Sequence, residues 1–276
     1  MPPPYDLRRT VGCGQVFRWT ITGDGAVGIF RSCRWSVRQD GRLLRALNDD
    51  GAADVAPGGV DPLWEHLAVG APLGRIERAL ARDAVLRRIL PHTTGIALMR
   101  QDPWECLVSF VISAFNNIPK IRMSVDHLCR RFGRPLPGGA FGFPTAARLA
   151  EARLPALRAC ILGYRAPSVR GVARAVADRT VELDRLAVLP YEEAREALLA
   201  LPGVGEKVAD CVLLYALGQG NAFPVDVWVQ RAVEEAYFRG RRLTARAVGR
   251  WARDRFGRQA GYANQHLFLA ARTGRL

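Results

Sequence analysis

Stretches in which β-branched and aromatic residues alternate with polar ones occupy the first part of the chain. Four such segments lie between residues 15 and 47, and they read QVFRWTI, AVGIFRS, RWSVRQ and RLLRAL. Asp-Gly pairs lie between the first and second segments and between the third and fourth. Val, Ile, Phe and Trp favour strands, and Asp-Gly favours tight hairpin turns. The pattern predicts a small N-terminal antiparallel β-rich domain over residues 1–74.

From Asp61 onward the hydrophobic spacing is that of amphipathic helices. Glycine and proline mark most junctions, as in FGRPLPGG at 132–139 and LPGVG at 201–205. Predicted helices lie near 75–90, 104–116, 121–132, 145–150, 155–161, 165–179, 191–200, 206–217, 227–238, 243–256 and 259–272. The predicted fold class is α+β, in which a large all-helical part at 75–276 follows the β-rich domain and contains a helix-hairpin-helix motif at 191–217.

The chain is strongly basic, with a formal net charge of +14 and an isoelectric point near 10.5. Such a surplus suggests a polyanionic partner, although a genome that encodes arginine freely would produce the same composition. No run of eighteen apolar residues is present, and the first residues lack the apolar core of a signal peptide. We therefore expect no membrane association, and a location in the cytoplasm or nucleoid, or in the nucleus of a eukaryote.

The spacing of the cysteines argues against a metal site. Six cysteines lie far apart, with no CxxC pair, at positions 13, 33, 106, 129, 160 and 211. Zinc sites, iron–sulfur clusters and disulfide frameworks require clustered or paired cysteines. We expect free thiols in a reducing compartment, no metal and no cofactor.

Lysine is far rarer than arginine in this chain. Of the 40 basic residues, only Lys120 and Lys207 are lysines. A lysine amine can lose its proton and act as a nucleophile, whereas a guanidinium effectively cannot. The two lysines are therefore candidates for chemistry that arginine cannot perform.

Lys207 follows the glycine-rich turn LPGVG, which joins two predicted helices. Such a turn exposes backbone N–H groups that suit a phosphate oxygen, although tight packing of two helices would also explain it. The helix dipole disfavours a cation in the first turn, and Cys211 lies on the same helix face four residues on. A solvated lysine beside a small core cysteine is the plain alternative, but the position and the rarity of lysine favour a functional role.

Asp226 lies in NAFPVDVWVQR, directly before the predicted helix that begins at Val227. This is the N-cap position, where a carboxylate accepts hydrogen bonds from backbone N–H groups and its charge is favoured. If this helix faces Lys207 across a cleft, the two side chains supply an amine nucleophile and a fixed carboxylate. That pair suits a reaction that passes through a positively charged carbon.

Five segments together resemble the helix-hairpin-helix-GPD superfamily of base-excision DNA glycosylases, in its 8-oxoguanine DNA glycosylase/AP lyase branch. Besides the hairpin with Lys207 and PVD at 224–226, they are CGQVFRW, SFVISAFNNIPKI, LGYRAPSVRGVARAV and AGYANQHLF, in that order along nearly the whole chain. The lack of four clustered cysteines separates the chain from the iron–sulfur branch of the superfamily.

The resemblance implies the catalytic roles. Lys207 would attack C1′ of a flipped nucleotide, expel the base and form a Schiff base, and β-elimination would then nick the strand. Asp226 would stabilise the positive charge that develops on the sugar. The implied partner is double-stranded DNA that contains an oxidised purine, and the implied state is a monomer.

The resemblance also implies how the base is recognised. N7 of guanine is an acceptor, whereas 8-oxoguanine carries a hydrogen there, which the backbone carbonyl of Gly14 would accept. Cys211 and Phe268 would sandwich the base, and Asn264 stands where the family has a glutamine that reads the base edge. Without the resemblance, Phe268 would be interpreted as a core residue and Gly14 as part of a turn.

Further residues match the family's contacts to the DNA strands. Asn117 and Tyr164 match the residues that separate the strands, and Arg165 matches one that contacts the orphaned cytosine. The remaining predicted DNA-binding residues are Asn116, Lys120, Trp228 and the hairpin residues Gly203, Val204 and Gly205, whose amides would contact phosphate.

The chain departs from the family pattern near the opposite base. Phe115 replaces the first residue of an asparagine triple, Lys120 replaces the arginine that reads the opposite base, and Trp228 occupies a basic or histidine position. Loss of a bidentate arginine contact relaxes base selectivity by about 1–3 kcal/mol. We therefore expect a weaker preference for cytosine than the family pattern implies.

Two other functions remain open at this point. A monofunctional glycosylase for alkylated bases would share the fold and Asp226, but it would need no lysine. A non-catalytic helix-hairpin-helix DNA-binding protein would use the hairpin alone, and it would have no need for Lys207, Cys211 and Asp226 around one pocket.

Overall fold

A computed structural model describes residues 5–48 and 62–276 of the protein. The first element is a short helix, α1 (Leu7–Gly12), and a four-stranded antiparallel sheet follows it in the order β1-β2-β3-β4. The strands are β1 (Trp19–Thr22), β2 (Gly25–Phe30), β3 (Cys33–Asp40) and β4 (Leu43–Asn48). A mainly helical region follows, so the predicted α+β class is confirmed.

Two-residue turns connect the strands of the sheet. The β1–β2 and β3–β4 connections fall at the two predicted Asp-Gly sites. The β2–β3 turn was not apparent in the sequence, because Arg31 and Ser32 adopt φ values of +47° and +64° that glycine or asparagine usually supplies. Gly28 is required on β2, since a Cβ there would lie 2.1 Å from the ring of Trp19.

The helices of the described region after the sheet are short and mostly amphipathic. They are α2 (Pro62–His66), α3 (Leu73–Leu80), α4 (Ala84–Thr93), α5 (Pro103–Ile112), α6 (Ile118–Phe132), α7 (Ala146–Ala150), α8 (Leu154–Leu157), α9 (Ala166–Ala177), α10 (Leu183–Leu186), α11 (Tyr191–Leu199), α12 (Glu206–Tyr215), α13 (Val227–Phe238), α14 (Ala245–Phe256) and α15 (Ala260–Arg272). The predicted hairpin joins α11 to α12. None of the described helices is long and apolar enough to cross a membrane.

Three differences from the sequence prediction have local causes. Helix α1 was not predicted, and Asp6 begins it by accepting a hydrogen bond from the Arg9 amide. The predicted helix at 75–90 is two helices, because Asp83 starts α4 by accepting from the amides of Val85 and Leu86. The predicted helix near 155–161 is α8 followed by a π-type turn. Part of the predicted loop at 51–62 lies outside the described residues.

Buried side chains form three hydrophobic clusters. One holds α5, α6, α9, α11 and α12, a second holds α4, α13, α14 and α15, and a third lies between α1, α2 and the sheet. Helix α12 belongs to the first cluster and α13 to the second. The segment that joins these helices therefore connects two packed bodies, and the start of each helix faces the boundary between them.

Candidate active site

Lys207 lies in the first turn of α12, directly after the hairpin. Its amino group donates to Ser113 Oγ at 2.8 Å and lies 4.8 Å from the centre of the Phe110 ring. The Ser113 hydroxyl itself donates to the Phe110 carbonyl at 2.7 Å. Because that proton is committed, the oxygen presents a lone pair to the amine and fixes its position.

Cys211 lies one helical turn beyond Lys207 and is buried. Burial raises the pKa of its thiol to about 12, although the neighbouring Lys207 charge opposes the shift. The side chain is therefore a neutral thiol, and it serves as an apolar wall rather than a nucleophile.

Asp226 caps α13 as predicted. Its Oδ1 accepts hydrogen bonds from the Trp228 amide at 3.0 Å and the Val229 amide at 2.8 Å. The carboxylate is therefore held in one orientation by the helix that it starts, while its side chain stays partly exposed to the cleft.

One small cavity brings the predicted catalytic and base-contacting residues together. Its lining includes Gly14, Lys207, Cys211, Asp226, Asn264 and Phe268. The cavity holds about 50 Å³, the volume of roughly two water molecules, so a purine would have to displace some of the side chains that line it. These residues come from α12, α13, α15 and the loop after α1, which lie far apart in the sequence.

The loop that carries Gly14 is fixed by its neighbour Gln15. The Gln15 amide donates to the carbonyls of Thr10 and Ala97 at 2.8 and 2.9 Å, and its oxygen accepts from the Met99 amide at 2.9 Å. Gly14 itself has a φ of +90°, and a Cβ there would lie 2.9 Å from Ile118 and 3.3 Å from the Phe268 ring. Both the backbone conformation and the close approach require glycine at this position.

The two amides of α15 at this site have different partners. Asn264 is buried and donates to the Pro224 carbonyl at 2.7 Å, so its amide supports the segment before Asp226. Gln265 donates to the Cys13 carbonyl at 3.1 Å and accepts from the Tyr215 hydroxyl at 2.7 Å. Gln265 thus ties α15 to the loop next to Gly14, and it lines the same cavity.

The residues predicted to separate the strands lie in two segments, before α6 and before α9, that are joined by a hydrogen bond. Asn117 caps α6, since its side chain accepts from the Lys120 amide at 3.0 Å, and Asn116 donates to the Ile112 carbonyl at 3.2 Å. Tyr164 is exposed and donates to the Ala114 carbonyl at 3.3 Å. The Oδ1 atom of Asn117 is used in the helix cap, and its expected role in filling the space of an extruded base stays a prediction.

Arg165 is only 7% exposed and stabilises the segment between α5 and α6 through hydrogen bonds to its backbone. Its Nε donates to the Ala114 carbonyl at 2.7 Å, its Nη2 donates to the Phe115 carbonyl at 2.9 Å, and its guanidinium stacks on Tyr164 at 4.4 Å. These hydrogen bonds use Nε and Nη2, and the contact of Arg165 with an orphaned cytosine stays a prediction.

The hairpin amides differ in their availability. The Val204 amide donates to the Leu201 carbonyl at 3.2 Å, so it is already used in the turn. Gly203 has a φ of +79°, and a Cβ there would lie 2.4 Å from Ser168 Oγ, whereas the space around Gly205 is open. Lys120, in the first turn of α6, and Trp228, in the first turn of α13, are both exposed. In the described part of the chain, no three His, Cys, Asp or Glu side chains cluster as metal ligands.

Family models match nearly the whole chain. Residues 3–107 match the model described as 8-oxoguanine DNA glycosylase, N-terminal domain, and residues 108–255 match the HhH-GPD superfamily base excision DNA repair protein. The chain belongs to this superfamily, in its 8-oxoguanine DNA glycosylase branch. The two matches meet at residue 107, whereas the change in sequence pattern put a boundary at residue 74, which stays a prediction.

Curated relatives carry names from the same branch. N-glycosylase/DNA lyase OGG1 of Arabidopsis thaliana is 34% identical over an alignment of 290 residues, and the alignment covers 96% of this chain and 76% of the relative. A probable N-glycosylase/DNA lyase of Methanothermobacter thermautotrophicus is 34% identical over 217 residues, 70% of this chain and 69% of the relative.

Solved structures of glycosylases in the branch superpose on nearly the full length. MBOgg1, in complex with a low affinity DNA ligand, has a TM-score of 0.92 at 32% identity, and the match covers 99% of this chain and 94% of that one. The 8-oxoguanine glycosylase/lyase of Clostridium acetobutylicum, with double-stranded DNA that contains cytosine opposite 8-oxoG, has a TM-score of 0.90 at 29% identity, with the same coverage.

Sequence reasoning missed three residues of the glycosylase site. Ser113 and Phe110, which hold Lys207, lie in the apolar segment SFVISAF, and the serine between Ile112 and Ala114 was the available signal. Tyr215 lies four residues after Cys211, so helical spacing alone puts it on the same face. Its hydrogen-bond partner, Gln265, directly follows Asn264 in the sequence.

Proposed function

We propose that the protein is a bifunctional DNA glycosylase and AP lyase that flips 8-oxoguanine out of duplex DNA, excises it and nicks the strand. The observation that carries the proposal is the meeting of Lys207 and Asp226 in one cavity with Gly14, Cys211 and Phe268. An amine and a fixed carboxylate that line one cavity suit attack on a sugar carbon.

Base choice would depend on the carbonyl of Gly14. Hydrogen bonds around Gln15 hold this loop rigidly, and among the described residues nothing donates to the Gly14 carbonyl. 8-Oxoguanine would donate its N7–H to that oxygen, whereas normal guanine would oppose it with a lone pair. Cys211 and Phe268 would close on the two faces of the ring, and Asn264 or Gln265 would meet its edge.

The first chemical step is the displacement of the base by Lys207. The lone pair of the neutral amine forms a bond to C1′, the C1′–N9 bond breaks, and its electron pair leaves with the base, which takes up a proton. Asp226 would stabilise the positive charge that develops on the sugar. Loss of an amine proton and opening of the C1′–O4′ bond then leave an iminium ion between Lys207 and the sugar.

The second step is β-elimination from this Schiff base. A base removes a proton from C2′, a C2′–C3′ double bond forms, and the C3′–O bond breaks, so that the 3′ phosphate leaves with the electron pair. Water then hydrolyses the imine and restores Lys207. The expected products are an unsaturated sugar on one fragment and a 5′ phosphate on the other.

DNA contacts would come from the hairpin and from the loops around the cavity. The amides of Gly203 and Gly205 would bind a backbone phosphate, and Lys120 and Trp228 would contact the strands near the lesion. The net charge of +14 fits this partner. The proposed reaction requires only one copy of the chain, so we expect a monomer. Because the substrate is genomic DNA, we expect the protein in the cytoplasm and nucleoid, or in the nucleus of a eukaryote.

A monofunctional glycosylase for alkylated bases is the main alternative. The 3-methyladenine DNA-glycosylase of Archaeoglobus fulgidus shares the fold with a TM-score of 0.79 at 24% identity, so the fold does not discriminate between the two functions. Lys207 discriminates, because a monofunctional enzyme activates water and needs no amine nucleophile.

The test is a comparison of base release with strand nicking on duplexes that contain either 8-oxoguanine or 3-methyladenine. We expect release of 8-oxoguanine together with nicking, and loss of both in Lys207→Gln, while Asp226→Asn keeps the helix cap but slows both. Base release without nicking, or release of the alkylated base only, would favour the alternative. A salt-dependent gel shift without any release would indicate a DNA-binding protein.

A further inference from the structure

A guanidinium group lies at the edge of the base cavity, which Gly14, Lys207 and Phe268 line. Arg272 is exposed in the last turn of α15, one helical turn after Phe268, and its guanidinium carbon lies 5.4 Å from the centre of the Phe268 ring. A Cβ on Gly14 would lie 3.5 Å from Arg272 Nη1. The cation is therefore next to the two residues that the excised base is expected to contact.

A second arginine approaches the same place from α6. Ile118 begins this helix, and its Cδ1 would lie 2.9 Å from the same Cβ on Gly14. Arg122 follows Ile118 by four residues, so the two side chains share one face of α6. Burial lowers the pKa of Arg122, and the charge of Arg272 lowers it further, so the two guanidinium groups lie near each other.

No internal partner neutralises this arginine pair, Arg122 and Arg272. Within the described residues, neither side chain forms an ion pair or a hydrogen bond, and Arg122 Nε is buried without an acceptor. A buried donor without a partner costs free energy, and two like charges repel each other. The fold therefore keeps an arrangement that a bound anion would stabilise.

The acidic residues of the neighbouring elements have other partners. Helix α15 contains no acid, and the one acid of α6, Asp126, pairs with Arg130 at 2.7 Å. Asp226 in the base cavity accepts from two backbone amides, and it forms no ion pair within the described part of the chain. The anion that fits the arginine pair therefore comes from another molecule.

We propose that Arg122 and Arg272 bind the phosphate on the 5′ side of the flipped nucleotide. The inference rests on the proposed function, since it requires a purine in the base cavity with its N7 at the Gly14 carbonyl. In the anti conformation of a nucleotide, C8, which is bonded to N7, faces the 5′ phosphate of the same nucleotide. That phosphate therefore lies on the side of the base where the two arginines are, and guanidinium groups fit phosphate oxygens.

The oxidised base makes this contact more valuable. In 8-oxoguanine, C8 carries a carbonyl oxygen in place of a hydrogen, so a partial negative charge faces the negatively charged phosphate. Two cations beside the phosphate reduce this repulsion. The arginine pair thus helps to hold the damaged nucleotide in the conformation in which Gly14 reads it.

The contact supports binding rather than the chemical steps. The 5′ phosphate does not react, since the bonds that break lie at C1′ and on the 3′ side of the sugar. An interaction that is equal in the ground state and the transition state lowers the enzyme concentration at half-maximal rate but leaves the maximal rate unchanged. Arg122 and Arg272 are therefore positioning residues, whose effect differs from that of Lys207 and Asp226.

The test compares Arg272→Met and Arg122→Met with the control Arg45→Met, which removes an exposed arginine from the sheet. Methionine keeps most of the apolar length of the side chain but removes the charge. On a duplex that contains a cleavage-resistant 2′-fluoro analogue of 8-oxoguanosine, we expect each variant of the pair to bind about tenfold more weakly than wild type. The slope of log affinity against log salt concentration should fall by up to about one. Arg45→Met should match wild type, and all three variants should bind undamaged duplex alike, because no nucleotide is flipped there.

Single-turnover kinetics separate binding from chemistry. For release of 8-oxoguanine, the enzyme concentration at half-maximal rate should rise about tenfold in Arg272→Met and in Arg122→Met, while the maximal rate changes less than about threefold. A tenfold fall in the maximal rate at an unchanged half-maximal concentration would overturn the inference, because it would assign the arginines to the chemical steps or to the shape of the cavity.

Methylphosphonate substitution identifies the phosphate. Neutralising the phosphate 5′ to the lesion should weaken binding by wild type about tenfold and binding by the two variants little further. Neutralising the 3′ phosphate should weaken binding by wild type and by the variants equally. Coupling to the 3′ phosphate, or to neither phosphate, would overturn the inference, while the proposed function stands if wild type still releases 8-oxoguanine and nicks the strand. Absence of both activities in wild type would instead reject the proposed function.

Discussion

Lys207 and Asp226 each lie at the start of a helix, but the helix dipole favours only the carboxylate. Asp226 is stabilised by two backbone amides, whereas Lys207 is held by Ser113, 94 residues away in sequence. The cap could be predicted from the sequence, because it depends on the residues that follow it directly. The serine could not, because its contact depends on the packing of α5 against α12.

Gly14 provides a test of base recognition at the level of one residue. Gly14→Ala would strain a φ of +90° and put a Cβ 3.3 Å from Phe268, so we expect release of 8-oxoguanine to fall at least about tenfold, with a loss of stability of about 1–2 kcal/mol. Gly41→Ala is the matched control, since its φ is +56° and the space around it is open. Equal activity of the two variants would contradict the role of Gly14.

Lys120 tests the expected weak selectivity for the opposite base. We expect wild type to differ little in its cleavage opposite C, A, G and T, because lysine lacks the bidentate geometry of arginine. Lys120→Arg should raise the preference for cytosine by about 1–3 kcal/mol in single-turnover rates. A strong preference for cytosine in wild type would contradict this prediction.

At the scale of elements, α5, α9 and α11–α15 each begin within two residues of a start predicted from hydrophobic spacing, caps and glycine punctuation. The predictions failed at positions where one or two side chains determine the local backbone structure. Asp83 divides one predicted helix into two, and Arg31 with Ser32 forms a turn without glycine. Such choices depend on local hydrogen bonds and on the pairing of whole strands, which periodicity does not report.

The hairpin between α11 and α12 allows a direct test of where the fold requires glycine. Gly203→Ala would combine a φ of +79° with a clash against Ser168, so we expect it to lower the free energy of unfolding by about 1–3 kcal/mol and to weaken DNA binding. Gly205→Ala meets no side chain and loses only a cap preference, less than about 1 kcal/mol. Chemical denaturation measures the stability of both variants, and gel shifts measure their DNA binding. Equal destabilisation of the two variants would contradict the prediction that only Gly203 is closely packed.

On the scale of the whole molecule, the site is a boundary between two hydrophobic clusters. Helix α12 brings Lys207 and Cys211 from one cluster, and α13 and α15 bring Asp226 and Phe268 from the other. The sequence predicted the two helix starts, but their meeting across a cleft came only through the resemblance to a family.

Two buried histidines should make the whole fold sensitive to acid. Burial lowers the pKa values of His66 and His266 to about 4, and Trp19 donates to His66 Nε2, which requires the neutral ring. Because the folded pKa lies below the unfolded value near 6.5, each histidine contributes stability that is present above pH 6.5 and lost as the pH falls towards 4. The full loss is about 3 kcal/mol for each ring.

Urea unfolding at several pH values measures this linkage. His266→Gln should lose stability less steeply than wild type between pH 6.5 and 4, whereas His92→Gln, which alters an exposed ring, should follow wild type. Parallel curves for wild type and His266→Gln would show that the buried ring does not govern the response to acid.

The central claim is that Lys207 is the nucleophile, and borohydride trapping tests it most directly. Wild type and Lys207→Gln are each incubated with a duplex that contains one 8-oxoguanine opposite cytosine, in the presence of borohydride. The account predicts a covalent protein–DNA adduct with wild type and none with the variant, which should still bind the duplex. Tight binding by wild type without an adduct, or an adduct that persists in Lys207→Gln, would contradict it.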